Sequence, residues 1–181
     1  MSESFNAQAV VNFWREAGAA AWFARDADFD ADFRRRFEAA HMAAARRELD
    51  PWLGTPEGAL ALMILLDQFP RNSYRGTAHM FATDALALSL ARRALELGHD
   101  QRIDPALRLF FYLPFEHSEN LADQARAVEL CRPLGDPFDR YAVIHHEVIA
   151  RFGRFPHRNA AFGRETTSEE QAFLDAGGFA G

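Results

Sequence analysis

The sequence predicts an all-α fold, and three observations carry that expectation. Apolar residues recur at three- and four-residue steps, with no sustained strand alternation. Glycines, prolines and short polar residues fall between these periodic stretches, where helices begin and end. The 181 residues are 49% hydrophobic and include 17 Phe and 3 Trp, enough to bury a sizeable core, so a single domain spanning 1–181 is expected.

About eight helices in antiparallel pairs follow from this pattern. The first covers Ala7 to Glu16, with Val10, Phe13 and Trp14 on one face. Trp22 and Phe23 form a packed connector. Asp28 or Asp30 caps the second helix, which carries Phe29, Phe33 and Phe37 at four-residue steps and runs towards Leu49. After the turn Asp50–Gly54, Pro56 suits the first turn of a third helix through Gln68. Its run ALALMILL is apolar on every face, which places it among other helices; Pro70 and Gly76 mark its exit.

The fourth helix spans Thr83 to Leu97 and stops at Gly98. Asp104-Pro105 opens a short helix through Tyr112, and Pro114 kinks or interrupts it. A further helix runs from Phe115 to Cys131, with Leu121, Ala125 and Val128 as its apolar stripe. The turn Arg132–Pro137 leads into a long helix over Phe138 to Phe152. Thr167-Ser168-Glu169-Glu170 has capping-box spacing ahead of a last helix, Ala172 to Ala176.

Composition excludes several kinds of chemistry. All 20 basic residues are Arg, so neither a Schiff-base lysine nor the lysine of a phosphate-binding P-loop is available. A net charge of -6 argues against general nucleic-acid binding while leaving room for a local anion site. Cys131 is the single cysteine, so no intrachain disulfide and no Cys-rich metal cluster is expected. The start MSESFNAQAV lacks the basic and apolar regions of a secretory signal, and the apolar run Ala59–Leu66 is too short to cross a bilayer. A cytoplasmic protein with no membrane or nucleic-acid partner is the expectation.

Two polar phrases are alike: DQFPRNSYRG at Asp67–Gly76 and RFGRFPHRNAAFGR at Arg151–Arg164. They read as two turns between helices, from a degenerate duplication of a helical hairpin or from convergence on one useful turn. In the first, Asp67 and Gln68 end an apolar helix, where a carboxylate opposes the helix dipole and calls for a cation such as Arg71 or Arg75. Asn72 ties down the turn. In the second, Arg151, Arg154, Arg158 and Arg164 gather with His157 and Asn159 around Phe155-Pro156, and guanidinium forks suit carboxylate or phosphate.

A third polar stretch runs from Glu116 through His117, Ser118 and Glu119 to Gln124. Glu119 and Asp123 would repel at four-residue spacing unless an Arg or a cation lies between them. No H-E-x-x-H spacing is present, and no metal is assigned. His145 stands near the middle of a face formed by Phe138, Tyr141, Ile144, Val148, Ile149 and Phe152, as a satisfied core histidine or a pocket residue; His146 points away. The arginines admit two readings in turn: locks onto Asp67, Glu116, Glu119 and Asp123, or the lining of a site.

The segments VVNFW, WFARDADFD, LLDQFPRNSYRG, FATDALAL, LPFEHSENLADQ and HHEVIARFGRFPHRNAAFGRETTSEEQAFL together span nearly the whole chain. On these the sequence resembles a bacterial family of unknown function, DUF924, departing only at hydrophobic positions such as Phe115 and Phe162. The resemblance implies a fold similar to tetratricopeptide-like proteins, a right-handed array of antiparallel helix pairs. It implies that the family's characteristic polar positions include Asp67, Gln68, Arg71, Asn72, Arg75, Glu116, His117, Ser118, Glu119 and Gln124, and likewise His145, Arg151, Arg154, His157, Arg158, Asn159 and Arg164. It implies no reaction and no cofactor.

The expected function is a helical binding protein for an anionic small molecule or an acidic peptide. Arg71, Arg151, Arg154 and Arg158 clamp the anion, and His117, His145, Gln68 and Asn72 orient it, with Asp67, Arg75, Glu119, Gln124 and Asn159 completing the ligand-binding set. The alternative is a hydrolase-like enzyme, metal-dependent in one version, with Glu116 or Glu119 as base and His117, His145 or His157 moving the proton. A third class is a structural or protein-interaction module in which the polar turns lock helix pairs. No recognised motif requires a cofactor.

Overall fold

A computed structural model describes residues 5–180; residues 1–4 and 181, and with them the polar start of the chain, lie outside it. All regular structure among the described residues is helical, and there is no sheet. The helices gather into two compact units, one ending at Pro114 and one beginning at Phe115.

In the first unit the Asn6 side chain accepts from the N–H groups of Gln8 and Ala9 and starts α1 (Ala7–Ala17). The connector at Trp22 is itself a short helix, α2 (Ala19–Trp22). Asp26, rather than Asp28 or Asp30, caps α3 (Ala27–Ala45), its carboxylate accepting from Asp28 and Phe29 N–H. This helix stops well before Leu49 because Arg47 adopts a left-handed φ of 67° and the Glu48 N–H turns back to the Ala43 carbonyl. Such a position is usually glycine or asparagine, so the arginine concealed the stop.

The inner faces of α1 and α3 meet in an aromatic stack. Phe13 lies 5.3 Å from Phe29 and 5.1 Å from Phe33, and Trp14 lies 5.4 Å from both Phe33 and Phe110. Trp14 and Phe33 are wholly buried; burying a large apolar side chain contributes about 1.5–3 kcal/mol.

Thr55 caps α4 (Pro56–Met63), accepting the Gly58 N–H. A Cβ on Gly58 would lie 2.1 Å from the Trp52 carbonyl oxygen, so glycine alone lets the turn Asp50–Gly54 close onto this helix. Every residue from Gly58 to Met63 is buried, as the all-round apolar run requires.

The rod does not end at Gln68. Pro70 has no N–H to offer the Leu66 carbonyl, and its ring would press against that group in an α-helix. The backbone instead widens into a π-turn over Ile64–Gln68 and continues as α5 (Phe69–Ser73). Side chains satisfy the carbonyls of the turn: His41 Nδ1 donates to Leu65 O at 2.8 Å, and the Thr83 hydroxyl donates to Leu66 O. Thr83→Val is therefore expected to lower the unfolding free energy by about 1–3 kcal/mol in urea titration, with the helical circular dichroism unchanged. A variant as stable as the parent would show that the hydroxyl does not satisfy that carbonyl.

α6 (Asp84–Glu96) packs against α4. The Asp104 carboxylate accepts the Ala106 N–H as expected, but the segment it opens, Pro105–Phe111, is 3-10 rather than α-helical. Pro114 sits in the first turn of α7 (Leu113–Glu116), a position it tolerates.

In the second unit the helix expected from Phe115 to Cys131 is broken at His117–Asn120. Asn120 accepts from Ala122 and Asp123 N–H and starts α8 (Leu121–Cys131) afresh. The restart changes which face is buried: Asp123, Gln124, Ala127 and Cys131 turn inward, whereas Leu121 is 48% exposed. The stripe expected on Leu121, Ala125 and Val128 is thus not the core face.

α9 (Phe138–Phe152) packs along α8 and buries Ala142, His145, Val148 and Ile149, while Tyr141, placed on the His145 face by the sequence reading, is exposed. Gly153, at a left-handed φ of 68°, ends it by donating to Ile149 O. A 3-10 turn over Pro156–Arg158 follows, and the Thr167–Glu170 capping box starts α10 (Ser168–Asp175).

Candidate functional site

The polar residues of each unit form their own network. In the first, the Arg71 guanidinium grips Asp84 with two bonds of 2.7 and 2.9 Å and reaches Asp67 Oδ1 at 3.2 Å and Asp67 O at 2.9 Å. Burial alone would lower the Arg71 pKa, but Asp67 and Asp84 outweigh it and hold the pKa above its ordinary value. Gln68 donates to Asp67 Oδ2 at 2.6 Å. Asn72 and Arg75 both turn to Asp30, each at 2.7 Å. Asp67 and Gln68 belong to the π-turn, inside a continuing rod, so Asp67 does not face the end of a helix dipole.

The second unit assembles a cluster around Phe155. The segment His117–Asn120 hangs between α7 and α8 and is latched by Gln124, whose Nε2 donates to Glu116 O and Ser118 O, both at 2.6 Å. The Ser118 hydroxyl donates to Asp123 at 2.8 Å. Glu119 accepts the Phe155 N–H at 2.8 Å and two bonds from Arg164 at 2.6 and 2.9 Å. Burial would raise its pKa, but Arg164, the Phe155 N–H and the charge of Arg158 carry it below the ordinary carboxylate range. Glu119 and Asp123, expected to face each other on one helix, are separated by the restart at Asn120: Arg164 meets Glu119, and Ser118 meets Asp123.

Glu116 is 2% exposed and accepts from the Cys131 thiol at 3.1 Å. Burial and the neighbouring Glu116 charge drive the Cys131 pKa far up, so this thiol is a donor and no nucleophile. His145 Nδ1 lies 2.7 Å from Tyr141 O and 3.5 Å from Glu116 Oε2. The carbonyl can only accept, so Nδ1 carries the proton and Nε2 keeps its lone pair. Burial first, then His117, Arg158 and His157, push the His145 pKa down to about 3.

The other two histidines join the cluster through His145 and Phe155. The His117 and His145 rings are 6.2 Å apart, and His157 lies 5.6 Å from Phe155. Arg158 is 5% exposed, lies 4.4 Å above the Phe155 ring and donates to His117 O at 3.0 Å. Four of the proposed site residues turn elsewhere or lie behind the cluster. Arg154 holds Glu170 with bonds of 2.6 and 2.8 Å, and Asn159 donates to Glu170 at 3.2 Å. Arg151 pairs with Glu169 at the surface, and Gln124 serves the latch.

The structure thus brings Glu116, His117, His145, His157 and Arg158 together and joins Arg151, Arg154 and Asn159 to α10. The sequence reading passed over Asp30, Asp84, Cys131, Glu170 and Phe179. Asp30 and Glu170 were legible only as capping residues and Cys131 only as a lone thiol, while Asp84 and Phe179 carried no local signal. Among the described residues no group of three or more His, Cys, Asp or Glu is arranged to hold a metal ion, and no helix is long and apolar enough to cross a membrane.

A family model described as a bacterial protein of unknown function, DUF924, matches residues 10–178. No curated protein matches. A solved structure, that of the protein of unknown function ATU0120 from Agrobacterium tumefaciens, is 55% identical, with a TM-score of 0.93 over 94% of this chain and 97% of that one.

Proposed function

Because the chain belongs to the DUF924 family of bacterial proteins, whose description assigns no activity, we propose from the geometry of the second unit that it binds a small anionic molecule or an acidic peptide through the cluster around Phe155. One observation carries this reading. Arg158 and three histidines share one locale around Phe155, beside the buried Glu116. A guanidinium fork with imidazole donors around it suits a carboxylate or phosphate. Arg158 supplies the fork, His117 and His157 donate from the flanks, and the Tyr141 carbonyl fixes His145 behind them.

The test is calorimetric titration with inorganic phosphate, succinate and an acidic peptide against the parent, His157→Gln and Arg158→Lys. Loss of the fork is expected to weaken binding about 10- to 100-fold, since lysine keeps the charge but not the bidentate geometry. If none of the three probes binds the parent, or Arg158→Lys binds as well as the parent, the reading is wrong.

A second reading is acid–base catalysis, for which Glu116 and His145, 3.5 Å apart, are the candidate pair. Hydrolysis of simple esters or phosphoesters that disappears in Glu116→Gln and His145→Gln would establish it. We further propose that the helices follow a tetratricopeptide-like arrangement, for which the α8–α9 hairpin across a short turn is the supporting element.

A further inference from the structure

The segment after α10 places an aromatic ring on this cluster. The Phe179 ring lies 4.3 Å from His145, meets His157 edge-on at 5.4 Å and stands 6.2 Å from Phe155. It is only partly buried. Beside it runs a groove of about 230 Å³ whose walls include Val148, Arg151, Phe152 and Phe173.

The backbone that delivers the ring is weakly tethered. Gly177 has a left-handed φ of 77°, which favours glycine, and a Cβ on Gly178 would displace the tip of the Phe173 ring, 2.5 Å away. The Gly177 and Gly178 N–H groups close the end of α10 on Leu174 O and Phe173 O. Beyond them, neither Phe179 nor Ala180 makes a hydrogen bond among the described residues. Side-chain packing against His145, Phe155, His157 and the apolar cluster of Val148 and Ile149 holds Phe179 in place.

We propose that the slot occupied by the Phe179 ring is an aromatic subsite, and that the ligand of the cluster is a ring-bearing anion that displaces Phe179. This rests on the anion-binding reading and narrows it to a ligand class. The slot is walled by His145, Phe155 and His157, which accept a phenyl ring stacked or edge-on. Arg158, whose guanidinium lies 4.4 Å from the Phe155 ring, meets the ligand's acidic group. A ligand with only the anion leaves Phe179 where it is; a ligand with both parts takes the place of the ring.

The experiment compares 3-phenylpropanoate, propanoate and inorganic phosphate on the full chain, the Phe179→Ala variant and the Phe179→Leu variant. Affinity is read by calorimetry, and the histidine ring resonances are followed by NMR. Removal of the competing ring is expected to tighten 3-phenylpropanoate binding about tenfold, with Phe179→Leu intermediate. Phosphate binding is expected to stay the same in all three proteins, and 3-phenylpropanoate to move the His145 and His157 signals.

If phosphate binds but 3-phenylpropanoate binds no better than propanoate, or gains nothing in either variant, the aromatic subsite is overturned and the anion site stands. If no anion binds any of the three proteins, the anion site itself fails and the subsite with it. Should Phe179→Ala lose helical structure, Phe179→Leu decides between these outcomes, because it keeps apolar packing without a ring.

Discussion

Replacing Arg71 with methionine is expected to lower the unfolding free energy by about 3–5 kcal/mol, the range seen when one partner of a buried ion pair is removed. The side chain of Asp67 is 1% exposed and that of Asp84 17%, and both carboxylates face the same guanidinium. Methionine fills much of the volume but leaves two acids close together without their cation. The loss comes from stranded charge more than from lost packing. Urea titration measures it, and Asp67→Asn added to Arg71→Met is expected to recover part of it, since the stranded charge is then gone. A single variant within about 1 kcal/mol of the parent would show that water reaches these carboxylates and that the network is ornamental.

Arg154→Met is expected to lower the urea midpoint, by less than Arg71→Met does, because the Arg154 side chain is 28% exposed and solvent screens its pair with Glu170. Its signature is in the acid limb. Glu170 is held down to about 2, by the Arg154 hydrogen bonds first, against burial, with the Thr167 N–H and Asn159 assisting. A depressed carboxylate contributes stability that is full above its unfolded value of 4.5 and is lost as pH falls through 2. Without Arg154 that window flattens.

His145 acts in a different window. Its pKa is lowered from 6.5 to about 3, so the unfolded chain takes up a proton that the folded chain refuses. Stability from this group is full above 6.5 and falls towards pH 3, by up to about 1.4 kcal/mol per pH unit. Arg154→Met is expected to keep this upper slope while losing the lower one. A variant whose whole acid limb is superimposable on that of the parent would contradict the assignment of Glu170.

How far the fold was legible depended on whether each feature had a residue that announces it. α1, α6 and α9 have clear periodicity with polar starts or glycine stops, and the Thr167–Glu170 box named its own helix. The left-handed turn at Arg47 and the 3-10 geometry of Pro105–Phe111 are properties of backbone angles that many residues can adopt. The restart at Asn120 had a capping residue, but continuous apolar spacing on both sides outweighed it.

The site was legible as polar concentration and not as pairing. Arg71, Arg154 and Arg164 stood out in the chain, but Asp84, Glu170 and Glu119 lie 13, 16 and 45 residues from them. Only the packing of helices decides which acid meets which base. The two similar phrases make the same point. In DQFPRN the Phe-Pro step lies within a helical rod, whereas in RFPHRN it opens a 3-10 turn after a left-handed glycine. The preceding residues, an unbroken apolar run in one case and Gly153 in the other, set the difference.

The five residues Ile64–Gln68 have an angular consequence. An α-helix advances about 100° about its axis with each residue, and a π-turn absorbs nearly one residue without that advance. Everything from Phe69 onward is therefore out of phase with a helical wheel drawn from Pro56. Projection from the upstream turns assigns Phe69 and Asn72 to directions they do not take. Because this rod is buried on every face, the slippage does not decide whether Asp67 and Gln68 lie inside; it decides which neighbours they meet there.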